Sequence, residues 1–91
     1  MIFEWDALKA ESNALKHGVS FQEAASVFAD PLSFTYYDPD HSSGEHRFIT
    51  VGSAQSGIVL IVAHTDRDAN VRIISARRAT RKERKYYEEN D

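Results

Sequence analysis

VRIISARRATRKERKYY (Val71–Tyr87) is a β-branched strand that runs straight into the start of a basic helix. Val71, Ile73 and Ile74 suit a pleated, half-buried surface. Thr80 and Glu83 have capping-box spacing, so a helix is expected to begin at Thr80. Arg81, Lys82 and Arg84 then fall in its first turns. A helix N-terminus already carries partial positive charge and prefers acids there. Cations at that end make sense if an anion docks, with exposed N–H groups and arginines converging on it.

Working back from this stretch, residues 58–65 (IVLIVAHT) are apolar on both faces for six residues, as expected of a central strand. Residues 66–70 form a turn before the last strand, and AQSG at 54–57 turns the chain into the central strand from a strand over residues 47–51. Residues 32–37 (LSFTYY) predict another strand, followed by the polar turn DPDHSSG at 38–44. Near the start, residues 2–5 predict a short strand, and Asp6 is placed to cap a helix over 7–17 that Gly18 stops. Leu8, Ser12 and Leu15 share one face of that helix and are expected to be its buried stripe, with Asn13 among the residues around the rest. Ser20 and Glu23 open a second helix with another capping box, and Asp30-Pro31 ends it. This order of elements predicts an α+β domain, an antiparallel sheet with two N-terminal helices and one C-terminal helix packed on it.

The chain's 91 residues suit one domain, residues 1–91, with one modest core. Cysteine is absent, which excludes disulfides, thiolate zinc sites and a cysteine nucleophile. Residues 1–6 lack the basic start and apolar run of a signal peptide, and the longest apolar run, 58–63, is too short to span a bilayer. A soluble, cytoplasmic protein is therefore expected. The net charge of −3 hides an asymmetry. Residues 1–66 hold three cations against nine acids, giving −6; residues 67–91 hold eight against five, giving +3. A locally basic face on an acidic body can still hold a polyanion, because screening makes nearby charges dominate.

KHGVSFQEA (16–24), DP (30–31), DPDH (38–41), RFITVG (47–52), RIISAR (72–77) and Glu83 recur in an order that resembles the BrnT family of toxins from type II toxin–antitoxin modules. The resemblance covers nearly the whole chain. It departs at Ala7, which stands where a proline is usual and bears only on helix initiation. The resemblance implies a RelE-like fold, a ribonuclease that arrests translation, and a co-encoded antitoxin that blocks it. It implies further that the antitoxin dimerises through a ribbon-helix-helix DNA-binding domain, so that the toxin meets DNA only through its partner. The alternative is a non-catalytic partner that regulates the DNA occupancy of an antitoxin.

RNA cleavage without a cofactor needs a base for the 2′-OH, cations for the crowded phosphorane, and a donor for the departing 5′-oxygen. Arginine suits the second task, since its planar fork matches two phosphate oxygens. Arg72 and Arg77, with Arg81 beside them, are the expected phosphate contacts; Arg47 is a clamp and Glu45 a candidate base, both read as pointing one way at the start of a strand. His64, where the central strand opens onto a loop, is a candidate base or acid. Lys16, His17, Arg78 and Tyr86 complete the expected RNA-binding set. The competing explanations are plain ones: a solvated basic face, a satisfied histidine at the core margin, and cations that complement a helix C-terminus. Asp38, Asp40, His41, Glu45 and His46 offer metal-ligand chemistry, but their spacing matches no established pattern and no metal site is expected.

Overall fold

The computed structural model describes residues 1–89. In chain order the elements are β1 (Ile2–Glu4), α1 (Ala7–His17), α2 (Phe21–Ser26), β2 (Phe34–Tyr37), β3 (Arg47–Ser53), β4 (Val59–Arg67), β5 (Asn70–Arg78) and α3 (Arg81–Glu89). The strands make one sheet in the order β1-β5-β4-β3-β2. The pairs from β2 to β5 are antiparallel, as expected. The expectation of an antiparallel sheet throughout needs one correction, because β1 joins β5 in parallel and the sheet is mixed.

The sheet separates two apolar layers. On one face, α1, α2 and the 3-10 turn Val27–Ala29 cover Leu60, Val62, Ile73 and Ala76, and Phe21, Ala24 and Val27 are fully buried against them. Trp5 packs edge-on against Phe21 at 5.9 Å, so it belongs to this core. On the other face, Tyr87 of α3 packs with Val51, Val59 and Ile61. Between the layers β4 is buried from Val59 to Val62, which accounts for its unbroken apolar run.

Local signals act where the sequence puts them. The Asp6 carboxylate accepts from the N–H groups of Leu8 and Lys9, and Gly18 ends α1 at φ 69°. The Ser20 hydroxyl accepts from Glu23 N–H. The last hairpin is tighter than expected: β4 and β5 extend to the pair Arg67–Asn70, and Asp68 takes φ 56° in the two-residue turn.

The first helix corrects another expectation. Leu8 and Leu15 are 77% and 83% exposed, whereas Asn13 is buried. The cause lies in β5. Its outer edge pairs with the three-residue β1 only from Asn70 to Arg72, so the backbone farther along needs other partners. Asn13 supplies them: its Nδ2 donates to Ala76 O (2.8 Å) and Val19 O (3.0 Å), and its Oδ1 accepts from Ala76 N–H (3.1 Å). A primary amide offers a donor and an acceptor as a neighbouring strand would, and the helix is rotated to deliver it.

Candidate functional site

Along β4, Val59, Ile61, Ala63 and Thr65 point away from α1 and α2 by the strand period of two. Across the sheet, Arg47 of β3 pairs with Thr65, and Thr65 with Arg72 of β5, which pairs in turn with Glu4 of β1. Arg47, Thr65 and Arg72 thus form a row on the face that carries α3. With strands about 4.8 Å apart, the two arginine backbones stand roughly 10 Å apart, with the threonine between them. Thr65 is only 2% exposed, and among the described residues its Oγ1 is the one buried side-chain polar atom with no hydrogen-bond partner. An unpaired buried hydroxyl costs stability, and this one, between two guanidinium-bearing positions, has a donor to offer an incoming acceptor.

Acids surround this row. The Glu45 carboxylate is gripped by Arg67 Nη2 at 2.8 and 3.2 Å. That hydrogen bond holds its carboxyl below the usual range, with Arg72 and Arg47 adding smaller attractions. Asp6 is lowered first by the N–H bonds of its helix cap, and it too senses Arg72. Contrary to expectation, Glu45 lies before β3 and reaches across to the end of β4, because the strand begins only at Arg47. Cations and acids share the corner, so net charge alone does not make it an anion site; directed hydrogen bonds must contribute the difference.

Arg77 reaches the same sheet face through a β-bulge. Ala63 pairs with Ser75 and His64 with Ile73, which leaves Ile74 as the extra residue on β5. Without it, a five-residue step would send Arg72 and Arg77 to opposite faces. Arg77 is nonetheless engaged elsewhere: its Nη1 and Nη2 donate to the two carboxylate oxygens of Glu83 at 2.8 and 2.9 Å. Glu83 also accepts from Thr80 N–H (2.8 Å), while Glu83 N–H donates to the Thr80 hydroxyl (3.1 Å). The capping box forms as expected, but the anion at the helix start is the chain's own. The Arg77 bond pulls the Glu83 carboxyl from 4.5 to about 2 against the opposing effect of burial, so it stays ionised at neutrality. Arg72, Arg77 and Arg81 therefore do not share one pocket. Arg72 belongs to the row with Arg47, Arg77 is locked to Glu83, and Arg81 is exposed at the start of α3.

His64 is on the other face and 2% exposed. Its Nδ1 meets Asp66 Oδ1 at 2.9 Å and its Nε2 meets Thr50 Oγ1 at 2.8 Å, which in turn meets Thr35 Oγ1 at 2.7 Å. Phe28 packs edge-on against the ring at 5.0 Å and Phe48 stacks on it at 6.0 Å. Burial lowers its pKa more than Asp66 raises it. A neutral ring that donates to Asp66 and accepts from Thr50 satisfies both nitrogens. The placement of His64 thus corrects the expectation of a base or acid beside the arginines: it is the centre of a buried polar chain. Lys16 and His17 end α1 in the helix layer, and Arg78, opposite Leu60, points to that same side. These three are not brought to the row. Tyr86 is 60% exposed on α3 and meets Phe34 edge-on at 5.9 Å. In the 38–46 turn, His41 pairs with Asp38 at 2.9 Å, and among the described residues no group of three or more His, Asp or Glu side chains is placed to hold a metal ion.

Thr65 and Arg67 were missed by sequence reasoning. Thr65 has a faint signal, a hydroxyl at an outward position of an otherwise apolar central strand. Arg67 sits within a stretch that reads as a turn. A cavity of about 790 Å³ lies between α3 and the sheet, on the face that carries the row but lined by other residues. No helix among the described residues is long and apolar enough to cross a membrane.

Comparison with known proteins adds to this geometry. Residues 5–83 match the family described as the ribonuclease toxin, BrnT, of type II toxin–antitoxin systems. Among solved structures, the Brucella abortus ribonuclease toxin BrnT superposes with a TM-score of 0.64 at 20% identity, over 89% of this chain and 100% of that one. At that identity the likeness bears on the fold alone. No curated protein matches.

Proposed function

The chain belongs to the family of BrnT ribonuclease toxins of type II toxin–antitoxin systems, and from that membership we propose that it cleaves RNA at the row Arg47–Thr65–Arg72 by transesterification without a metal ion. The 2′-oxygen attacks the adjacent phosphorus, the bond to the 5′-oxygen breaks, and a 2′,3′-cyclic phosphate results. The 2′-OH proton passes to a base and a proton from water or a donor reaches the 5′-oxygen. Arg47 and Arg72 hold the non-bridging oxygens, where their charge matters most as the phosphorane forms. Thr65 donates its hydroxyl to the same phosphate. Glu45, whose carboxyl senses both Arg72 and Arg47, serves as base once substrate draws Arg67 away from it.

The observation that carries this reading is the unpartnered Thr65 hydroxyl between two arginines. Incubating purified protein with single-stranded RNA in EDTA tests it. Cyclic phosphate ends are expected, and their loss in Arg72→Ala and Arg47→Ala protein that melts normally. RNA left intact at high protein concentration would reject the proposal.

A toxin of a type II system has a protein antitoxin as partner. We infer that this partner carries a ribbon-helix-helix domain, touches DNA on behalf of the complex, and covers the arginine row. A second reading, a non-catalytic partner of the antitoxin, is favoured by the engagement of Glu45 with Arg67 and the burial of His64, which occupy the two expected bases. Expression of the chain alone separates the two: growth arrest that Arg72→Ala relieves supports the nuclease, and unimpaired growth supports the binding partner.

A further inference from the structure

We propose that the groove between α3 and the sheet stacks an unpaired base of single-stranded RNA, next to the phosphate held at Arg47–Thr65–Arg72; this rests on the reading of that row as the phosphate seat. The groove's volume of about 790 Å³ falls within the range of small-ligand sites, roughly 300–1,000 Å³. Its walls are aromatic. Phe34 and Tyr36 lie side by side on β2 with centroids 6.5 Å apart and planes inclined by 27°, and Tyr86 of α3 meets Phe34 edge-on at 5.9 Å. Val51 and Ile61 form an apolar floor. Tyr36 and Tyr86 are 49% and 60% exposed, so flat ring surface is presented to solvent in a place where α3 and the sheet leave room.

Two features favour a base over an apolar peptide side chain. Lys82 and Lys85 line the groove beside Glu83 and Glu89. Arg77 neutralises Glu83 and Lys85 lies 4.0 Å from Glu89, so Lys82 is the cation placed to meet the phosphate of a strand whose base has entered. The groove also continues the face that bears the arginine row. Ile61 and Thr65 point the same way on β4, four residues and so roughly 13 Å apart, a separation that an extended strand spans within a nucleotide or two. Stacking on aromatic rings tolerates any base, so the groove would add affinity and register without strict sequence choice.

The test is binding of a short, labelled 2′-O-methyl RNA, whose blocked nucleophile separates binding from cleavage, measured by fluorescence anisotropy. Tyr36→Ala and Tyr86→Ala are each expected to weaken binding by roughly 5- to 150-fold. Tyr36→Phe should bind as the parent does, and an abasic strand should bind all of these proteins equally. Tyrosine-to-alanine variants that keep full affinity, with unchanged melting temperatures, overturn the proposal. If only Arg72→Ala weakens binding, the groove is rejected while the phosphate row stands. If only the tyrosine variants weaken it, the groove stands and the row falls. Variants that bind RNA normally but no longer hold the antitoxin would assign the groove to the protein partner and reject the base. A parent protein that binds no RNA rejects both.

Discussion

Thr65→Val should raise stability and lower function together. The two side chains are nearly isosteric, and valine is well suited to a strand, so packing at a 2% exposed position is preserved. What changes is a hydroxyl whose oxygen has no partner in the folded chain. Leaving a buried polar group unpaired costs about 1–3 kcal/mol, and valine removes that cost. A gain of about 1 kcal/mol, the lower end of that range, is expected. For a chain of this size that corresponds to a rise of roughly 4–8 °C in melting temperature. In the proposed RNA complex the same hydroxyl would donate to a charged phosphate, a bond worth about 1.5–3 kcal/mol. Affinity for single-stranded RNA should therefore fall by roughly one to two orders of magnitude. Calorimetry and anisotropy on the same preparation give both numbers. A destabilised variant would mean that the hydroxyl has a partner in the free protein. A stabilised variant with unchanged RNA affinity would mean that the orphan hydroxyl is merely tolerated, and the phosphate seat would lose its main support.

Asn13→Ala removes three hydrogen bonds and strands the buried backbone groups of Ala76 and Val19, so a loss of about 3–5 kcal/mol in urea unfolding is expected; a loss under 1 kcal/mol would show that water replaces the amide freely. Glu83→Gln keeps a capping side chain but removes the negative charge that faces Arg77. A carboxyl lowered from 4.5 to about 2 corresponds to about 3 kcal/mol, which partial exposure of the pair reduces to about 1–2 kcal/mol. A depressed acid stabilises the fold above its unfolded pKa and loses that contribution as pH falls through its folded pKa. The gap between parent and variant should therefore be constant above about pH 5 and close towards pH 2; parallel stability curves across that window would contradict the ion pair. Gly52→Ala would set a methyl group 2.8 Å from both Ser33 Cβ and Val27 Cγ1, so denaturant melts should show a loss of about 1–3 kcal/mol, and an unchanged midpoint would mean the contact yields.

The elements were legible because their punctuation is local. Asp6, Gly18, Ser20 with Glu23, and Thr80 with Glu83 each satisfy backbone groups a few residues away, and each is found doing so. What failed depended on partners distant in sequence. Leu8, Ser12 and Leu15 share one helix face with two leucines on it, yet Asn13 is the residue turned inward because an unpaired edge 63 residues away requires it. The parallel entry of β1 beside β5 is likewise a matter of topology that periodicity does not encode.

The site was legible by composition more than by geometry. Arg47 and Arg72 were singled out by residue type, but their alignment on either side of Thr65 follows from strand register. That Arg77 shares their face depends on a bulge at Ile74, and that it is held depends on Glu83, an acid supplied by the helix expected to await an outside anion. His64 read as a strand-end residue, either a base or acid or a satisfied histidine at the core margin; extension of β4 to Arg67 and the rings of Phe28 and Phe48 bury it.

The most direct measurement is a crystal structure of the protein with a short 2′-O-methyl RNA. A phosphate is expected between Arg47 and Arg72, within hydrogen-bond distance of Thr65 Oγ1. A strand bound instead along Lys16, His17 and Arg78 on the helix side, with the row untouched, would contradict the assignment.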